Sequence, residues 1–180
     1  EFMIVCNETV AETFLKKQLP FVYRIHENPK EEKIQDFNRF IERYGYELED
    51  TEEVEPKELQ MILKQVKGKK EEKAFHLMLL QSMQQARYSP ICKGHFGLAT
   101  KYYCHFTSPI RRYPDLQIHR IIKEYLHGQI TEKRKEQLEE AVQLTAKLSS
   151  KKERIAQRAE EELYEMKKME FMRNKIGKIY

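Results

Sequence analysis

The sequence predicts a mainly α-helical chain with a few short strands. Apolar residues recur at helical spacing through most of its length. Glycines sit where several of those stripes stop, at positions 45, 68 and 128. Strand signals are few: "FVYRIH", residues 21–26, alternates and is β-prone, and "GLATKYYCHF", residues 97–106, is aromatic and lacks a helical stripe.

Taken in order, Ile34, Phe37, Ile41 and Tyr44 share one helical face that Gly45 closes. In "PKELQMILKQVKG" Pro56 suits a first helical position, where its missing N–H costs nothing. Leu59, Ile62, Leu63 and Val66 then form the apolar stripe, and Gly68 ends it. Ala74, Phe75, Met78, Leu79 and Leu80 predict a helix running to about Ala86. "LQIHRIIKEYLHG" predicts one that stops at Gly128. Thr131 is a candidate N-cap for the next, along which Leu138, Val142 and Thr145 share a face. Ser149 and Ser150 are expected to break or recap the chain before a last helix over about 151–174. The acidic run "ELEDTEEVEPKE" reads as a solvated connection plus a helix start.

A net charge of only +4 argues for no partner by itself, so any nucleic-acid reading must rest on local placement. Cys6, Cys92 and Cys104 are odd in number and far apart. They predict reduced thiols in a cytoplasmic protein, without a disulfide framework or a zinc pair. No stretch approaches the roughly 18 apolar residues of a membrane span. Glu1 at the start and Tyr180 at the end make the chain read as a piece cut from a longer one.

The chemistry concentrates in "HFGLATKYYCHFTSPIRRYPDLQIHR", residues 95–120. Arg111 and Arg112 lie between Pro109 and Pro114, and proline restricts both itself and its predecessor. A guanidinium on a constrained backbone suits a two-pronged grip on phosphate oxygens. Thr107 and Ser108 add hydroxyl donors, and Arg120 adds charge. The competing reading pairs Arg111 and Arg112 with carboxylates of the protein itself. His95, His105 and His119 are spaced by ten and fourteen residues, which fits no compact zinc site, so structural or ligand hydrogen bonds are expected. Tyr102 and Tyr103 are expected to pack in the core, with base stacking as the alternative. The only aspartates are Asp36, Asp50 and Asp115. Asp115 is expected to cap the helix that follows it. Two-metal phosphoryl chemistry needs several oxygen ligands converging on cations about 3.5–4 Å apart, and one aspartate does not supply them.

Residues 95–120 closely resemble the signature of the RNB exoribonucleases, and residues 105–116 resemble the bacterial ribonuclease R variant of it. "EFMIVCNETVA", "FVYRIHENPKEEKI", "LLQSMQQARYSP" and "SSKKERIAQRAE" resemble further family segments, in the family's order. The resemblance implies residues 1–175 as the C-terminal part of an α/β RNB catalytic domain. It implies residues 176–180 as the start of a linker to an S1-type RNA-binding domain. The implied activity is processive 3′→5′ hydrolysis of single-stranded, and in places structured, RNA to nucleoside 5′-monophosphates. Mg²⁺ is implied as cofactor, held by an aspartate cluster outside this chain, so the chain alone is expected to be inactive. Implied partners are single-stranded RNA, the remaining half of the RNB domain and flanking OB-fold domains.

By the same resemblance Arg111 is the catalytic phosphate contact. Glu1 and Asn7 belong to a helix lining the terminal-nucleotide end of the RNA channel. His105, Thr107, Ser108 and Arg112 join them as substrate-binding candidates. Glu160 matches a channel glutamate, although Glu161 follows where the family often has arginine. The alternatives are a non-catalytic RNA-binding or scaffold module on a degenerate RNB domain, and a helical module that binds protein.

Overall fold

A computed structural model describes residues 1–173 and 175–177. Its helices are α1 (Phe2–Lys16), α2 (Glu31–Glu42), α3 (Pro56–Val66), α4 (Glu72–Ser82), α5 (Tyr113–Leu126) and α6 (Glu132–Arg173). Two three-residue strands, β1 (Tyr23–Ile25) and β2 (Arg87–Ser89), pair antiparallel with Arg24 opposite Tyr88. The mainly helical architecture expected from the periodicity is the one observed.

β1 lies between two partners. One side pairs with β2. On the other, Arg24 N–H donates to Tyr103 O (3.0 Å), His26 N–H to Gly94 O (3.1 Å) and Phe96 N–H to His26 O (2.9 Å). Residues 97–106 therefore do not form the strand their aromatic composition suggested. The backbone there runs through a short 3₁₀ turn, Phe96–Leu98, closed by an isolated bridge between His95 and Thr100. Gly97 is required there, because a Cβ would lie 2.8 Å from His26 Nδ1, which accepts the Gly97 N–H.

The apolar faces feed two cores. One gathers Ala11 and Phe14 of α1, Ile25, Tyr88, Cys104, Ile118 and Ile121 of α5, and Leu138, Val142 and Ala146 of α6. The other joins α2, α3 and α4 through Ile34, Phe37, Ile62, Val66 and Phe75, with Phe96 inserted from the 3₁₀ turn. Burying such side chains stabilises each core by about 1.5–3 kcal/mol per residue.

The expected break at Ser149 and Ser150 is absent, and α6 is continuous from 132 to 173. Ser150 Oγ donates to Ala146 O (2.8 Å) and accepts the Tyr88 N–H (2.9 Å). The hydroxyl thus satisfies a strand group without leaving the helix, and local breaker propensity loses to a tertiary bond. Thr131 does cap α6, accepting the Arg134 N–H (3.2 Å). Arg134 also forks onto both Glu124 oxygens (2.8 Å each), tying α5 to α6. Beyond residue 150 α6 is largely exposed, including Ile155, Leu163 and Met169. The expected linker, 176–180, lies outside the described residues from 178 onward.

Candidate functional site

Two arginines adjacent in sequence have different fates. Ser108 N–H donates to Asp115 Oδ1 (2.8 Å), and Ser108 O accepts the N–H groups of Arg111 (3.3 Å) and Arg112 (3.1 Å). Residues 108–112 therefore close into a turn immediately before α5. Arg112 reaches forward and grips Asp115 with both prongs, Nε to Oδ2 (3.0 Å) and Nη2 to Oδ1 (2.7 Å). Asp115 is completely buried. It does not cap α5 as the sequence suggested; no side chain caps that helix. The reading in which an arginine pairs with the protein's own carboxylate holds for Arg112. Arg111 is exposed, and among the described residues no carboxylate pairs with it.

Arg111 opens onto a cavity of about 730 Å³ whose far wall is α6. Tyr88, Arg112, Tyr113 and Pro114 line it from the sheet and the start of α5; Leu144, Leu148, Lys152 and Glu160 line it from α6. The continuity of α6 through Ser150 is what carries Glu160 to the cavity that Arg111 lines. Glu161, its neighbour, instead accepts from Gln157 Nε2 (2.8 Å) along the helix.

Two lining residues, Tyr88 and Glu153, are held by Arg24, which does not line the cavity itself. Arg24 stacks over the Tyr88 ring, 4.7 Å from its centroid, and donates to Glu153 Oε2 (2.6 Å) on α6. Tyr88 Oη and His105 Nδ1 are 3.0 Å apart. Burial, reinforced by Arg112 and Arg24, lowers the His105 pKa to about 3, so the imidazole is neutral. Burial raises the Tyr88 pKa to about 12, so the phenol keeps its proton. The charged residues lining the cavity are therefore Arg111, Arg112, Lys152, Glu153 and Glu160.

The remaining predicted residues divide between this place and others. Thr107 and Ser108 stand half-buried at the base of the turn, and their hydroxyls make no hydrogen bond among the described residues. Asn7 is buried away from the cavity: Nδ2 donates to Tyr103 Oη (3.2 Å) and Oδ1 accepts the Phe106 N–H (3.0 Å). Glu1 is exposed at the start of α1 and also stands outside the cavity lining. Tyr103 packs edge-on against His95 and His105, as the core reading had it. His119 stacks on Phe106 and its Nε2 lies 3.0 Å from Phe106 O. Tyr88, Lys152, Arg24 and Glu153 were missed as contributors, because nothing local in the sequence joins them to Arg111.

The residues present do not fit Mg²⁺. Among the described residues no group of three or more His, Cys, Asp or Glu is placed to hold a metal. The buried Asp115 carboxylate is already taken by Arg112 and Ser108.

Comparison with known proteins places this geometry. The RNB domain model matches residues 1–128, which include the Arg111 turn and all of α5. Ribonuclease R 1 of Lactococcus lactis is 47% identical over 180 residues, covering 99% of this chain and 22% of that protein. The solved structure of Mycoplasma genitalium RNase R in complex with ribose-methylated single-stranded RNA superposes with a TM-score of 0.92 at 28% identity, covering 98% of this chain and 28% of that one. Yeast Ssd1, a pseudonuclease, superposes with a TM-score of 0.69 at 28% identity, covering 82% and 18%. The chain spans about a quarter of the curated relatives it matches. The family model covers well over half of the chain and the relatives match its whole length, and on both grounds the chain belongs to the RNB domain family.

Proposed function

We propose that this chain is the C-terminal part, residues 1–175, of the catalytic domain of a cytoplasmic, ribonuclease R-like 3′→5′ exoribonuclease. In this reading the parent enzyme hydrolyses single-stranded RNA processively to nucleoside 5′-monophosphates. The observation that carries it is Arg111: a guanidinium with no carboxylate partner among the described residues, on a turn fixed at its base, beside a cavity. Such a group meets a phosphate without first breaking a salt bridge, and its fork matches two phosphate oxygens. As charge grows on those oxygens in the transition state, the contact strengthens. The Thr107 and Ser108 hydroxyls are free to donate beside it. Glu160 faces the cavity as an acceptor suited to ribose hydroxyls or to a base edge. His105 backs the site in its neutral form rather than holding charge there.

Mg²⁺ belongs to the parent enzyme in this reading, on carboxylates outside this chain, and no step is assigned to it here. The rest of the RNB domain and flanking OB-fold domains complete the channel, and this chain alone is inactive. The RNA bound to the Mycoplasma genitalium relative supports an RNA substrate. A second reading, a non-catalytic RNA-binding scaffold, is favoured by one observation: the likeness to a yeast pseudonuclease. Incubating the full-length parent with 5′-labelled single-stranded RNA and Mg²⁺ separates them. Nucleoside monophosphates released from the 3′ end support the enzyme. RNA retained intact in a stable complex supports the scaffold.

A further inference from the structure

We infer that Asp115 is a positioning residue that sets the place of Arg111 through the backbone of Ser108. The inference rests on the reading of Arg111 as the phosphate contact. The tip of the turn is bare: Ile110 is fully exposed and Arg111 is exposed. Among the described residues no hydrogen bond or ion pair fixes the Arg111 side chain. Its orientation must come from the base of the turn. There one residue, Ser108, is held through both of its backbone groups. Its N–H is taken by Asp115 Oδ1 at 2.8 Å. The Ser108 carbonyl in turn accepts the Arg111 N–H at 3.3 Å.

The carboxylate that does this is itself immobile. It is completely buried on the first turn of α5, whose Ile118 and Ile121 are anchored in the core. Arg112 saturates it with two further bonds, so its oxygens have one arrangement. Core, α5, Asp115, Ser108 and Arg111 thus form one rigid series. Arg112 belongs to the support, and Arg111 is what is supported. A merely structural staple would need Arg112 and Asp115 alone. The Ser108 bond is the additional link, and it holds the start of the turn carrying Arg111 as Arg112 holds its end. A displacement of about 1 Å at a reacting group can cost on the order of 10²-fold in rate.

The test is a double-mutant cycle in the full-length enzyme. Asp115→Asn keeps one oxygen for Ser108 but sets an amide N–H₂ against an Arg112 donor. Asp115→Glu keeps the charge for Arg112 and moves it by one methylene, and it is the second variant should the first fold poorly. Each is measured alone and with Arg111→Lys, by single-turnover decay of labelled RNA and by RNA affinity without metal. Each alone should lower the single-turnover rate by roughly 10- to 100-fold, with affinity changed less than about threefold. In the Arg111→Lys background the same substitution should cost less than about threefold more, because the group it positions has already lost its fork. A loss that adds in full to that of Arg111→Lys overturns the inference, since a general folding defect does not depend on Arg111. Wild-type turnover in Arg111→Lys itself overturns the underlying reading instead.

Discussion

Asn7→Ala tests whether α1 clamps the segment leading to the Arg111 turn. The Asn7 side chain is 3% exposed by residue and holds that segment at two points, the Tyr103 phenol and the Phe106 N–H. Alanine removes both bonds, each worth about 1 kcal/mol net. It also leaves the Phe106 N–H without its acceptor, at a cost of about 1–3 kcal/mol. The two accounts overlap, and together they place the loss at about 2–4 kcal/mol. At 1.4 kcal/mol per tenfold, local opening becomes roughly 30- to 700-fold more frequent. Hydrogen exchange of residues 103–108 in the parent enzyme, without RNA, reads this directly. The Phe106 amide should lose protection by about that factor, while α2–α4, which belong to the other core, keep theirs. Unchanged protection together with lost RNA affinity would refute the clamp and make Asn7 a ligand contact.

Burial holds His105 and His95 neutral, with pKa values of about 3 and about 4 against an ordinary 6.5. The unfolded chain takes up those protons near pH 6.5 and the folded chain does not, so stability is full above 6.5 and falls as pH drops from there, toward about 4 for His95 and about 3 for His105. Urea midpoints measured downward from neutral pH should show this loss, and His105→Gln should make the decline shallower. Ser150→Ala removes the acceptor of the Tyr88 N–H, and an unsatisfied donor of this kind costs about 1–3 kcal/mol. Faster exchange at the Tyr88 amide should report it, with protection restored in Ser150→Thr. RNA affinity of the parent enzyme should fall with salt at a log–log slope of about −0.7 per neutralised phosphate, measured by titration at several salt concentrations; a salt-insensitive affinity contradicts phosphate-dominated binding.

Features written locally were legible in the sequence. α3 has its proline, its stripe and its glycine within one short window, and the structure starts it at Pro56. Thr131 precedes its helix directly and caps it. What depends on distant partners was not legible. Ser150 is a breaker by local chemistry, yet its hydroxyl meets Tyr88, 62 residues earlier in the chain. Asp115 is a cap by position, yet its oxygens face Ser108 and Arg112. The aromatic run 97–106 carries a strand signal, yet it meets β1 through one backbone bond, Arg24 N–H to Tyr103 O. The site itself was half legible. The pair Arg111 and Arg112 marked the place. Which of the two is free was decided by reach: Arg112 stands three residues before Asp115 and takes it. The far wall with Glu160 came from the family resemblance, and its access to the cavity depends on an α6 that the serines were expected to interrupt.

The most direct test of the central claim is single-turnover decay of a 5′-labelled RNA by Arg111→Lys in the full-length enzyme. Lysine keeps the charge and loses the fork. By analogy with removing one oxyanion donor, the rate should fall by roughly 10²–10³-fold, or about 2.7–4 kcal/mol. RNA affinity measured without metal should change far less, because binding is spread over many phosphates. Arg112→Lys, which strikes the buried Asp115 pair, should lower stability more than Arg111→Lys does. Wild-type turnover in Arg111→Lys would contradict the account and remove Arg111 from the reacting phosphate.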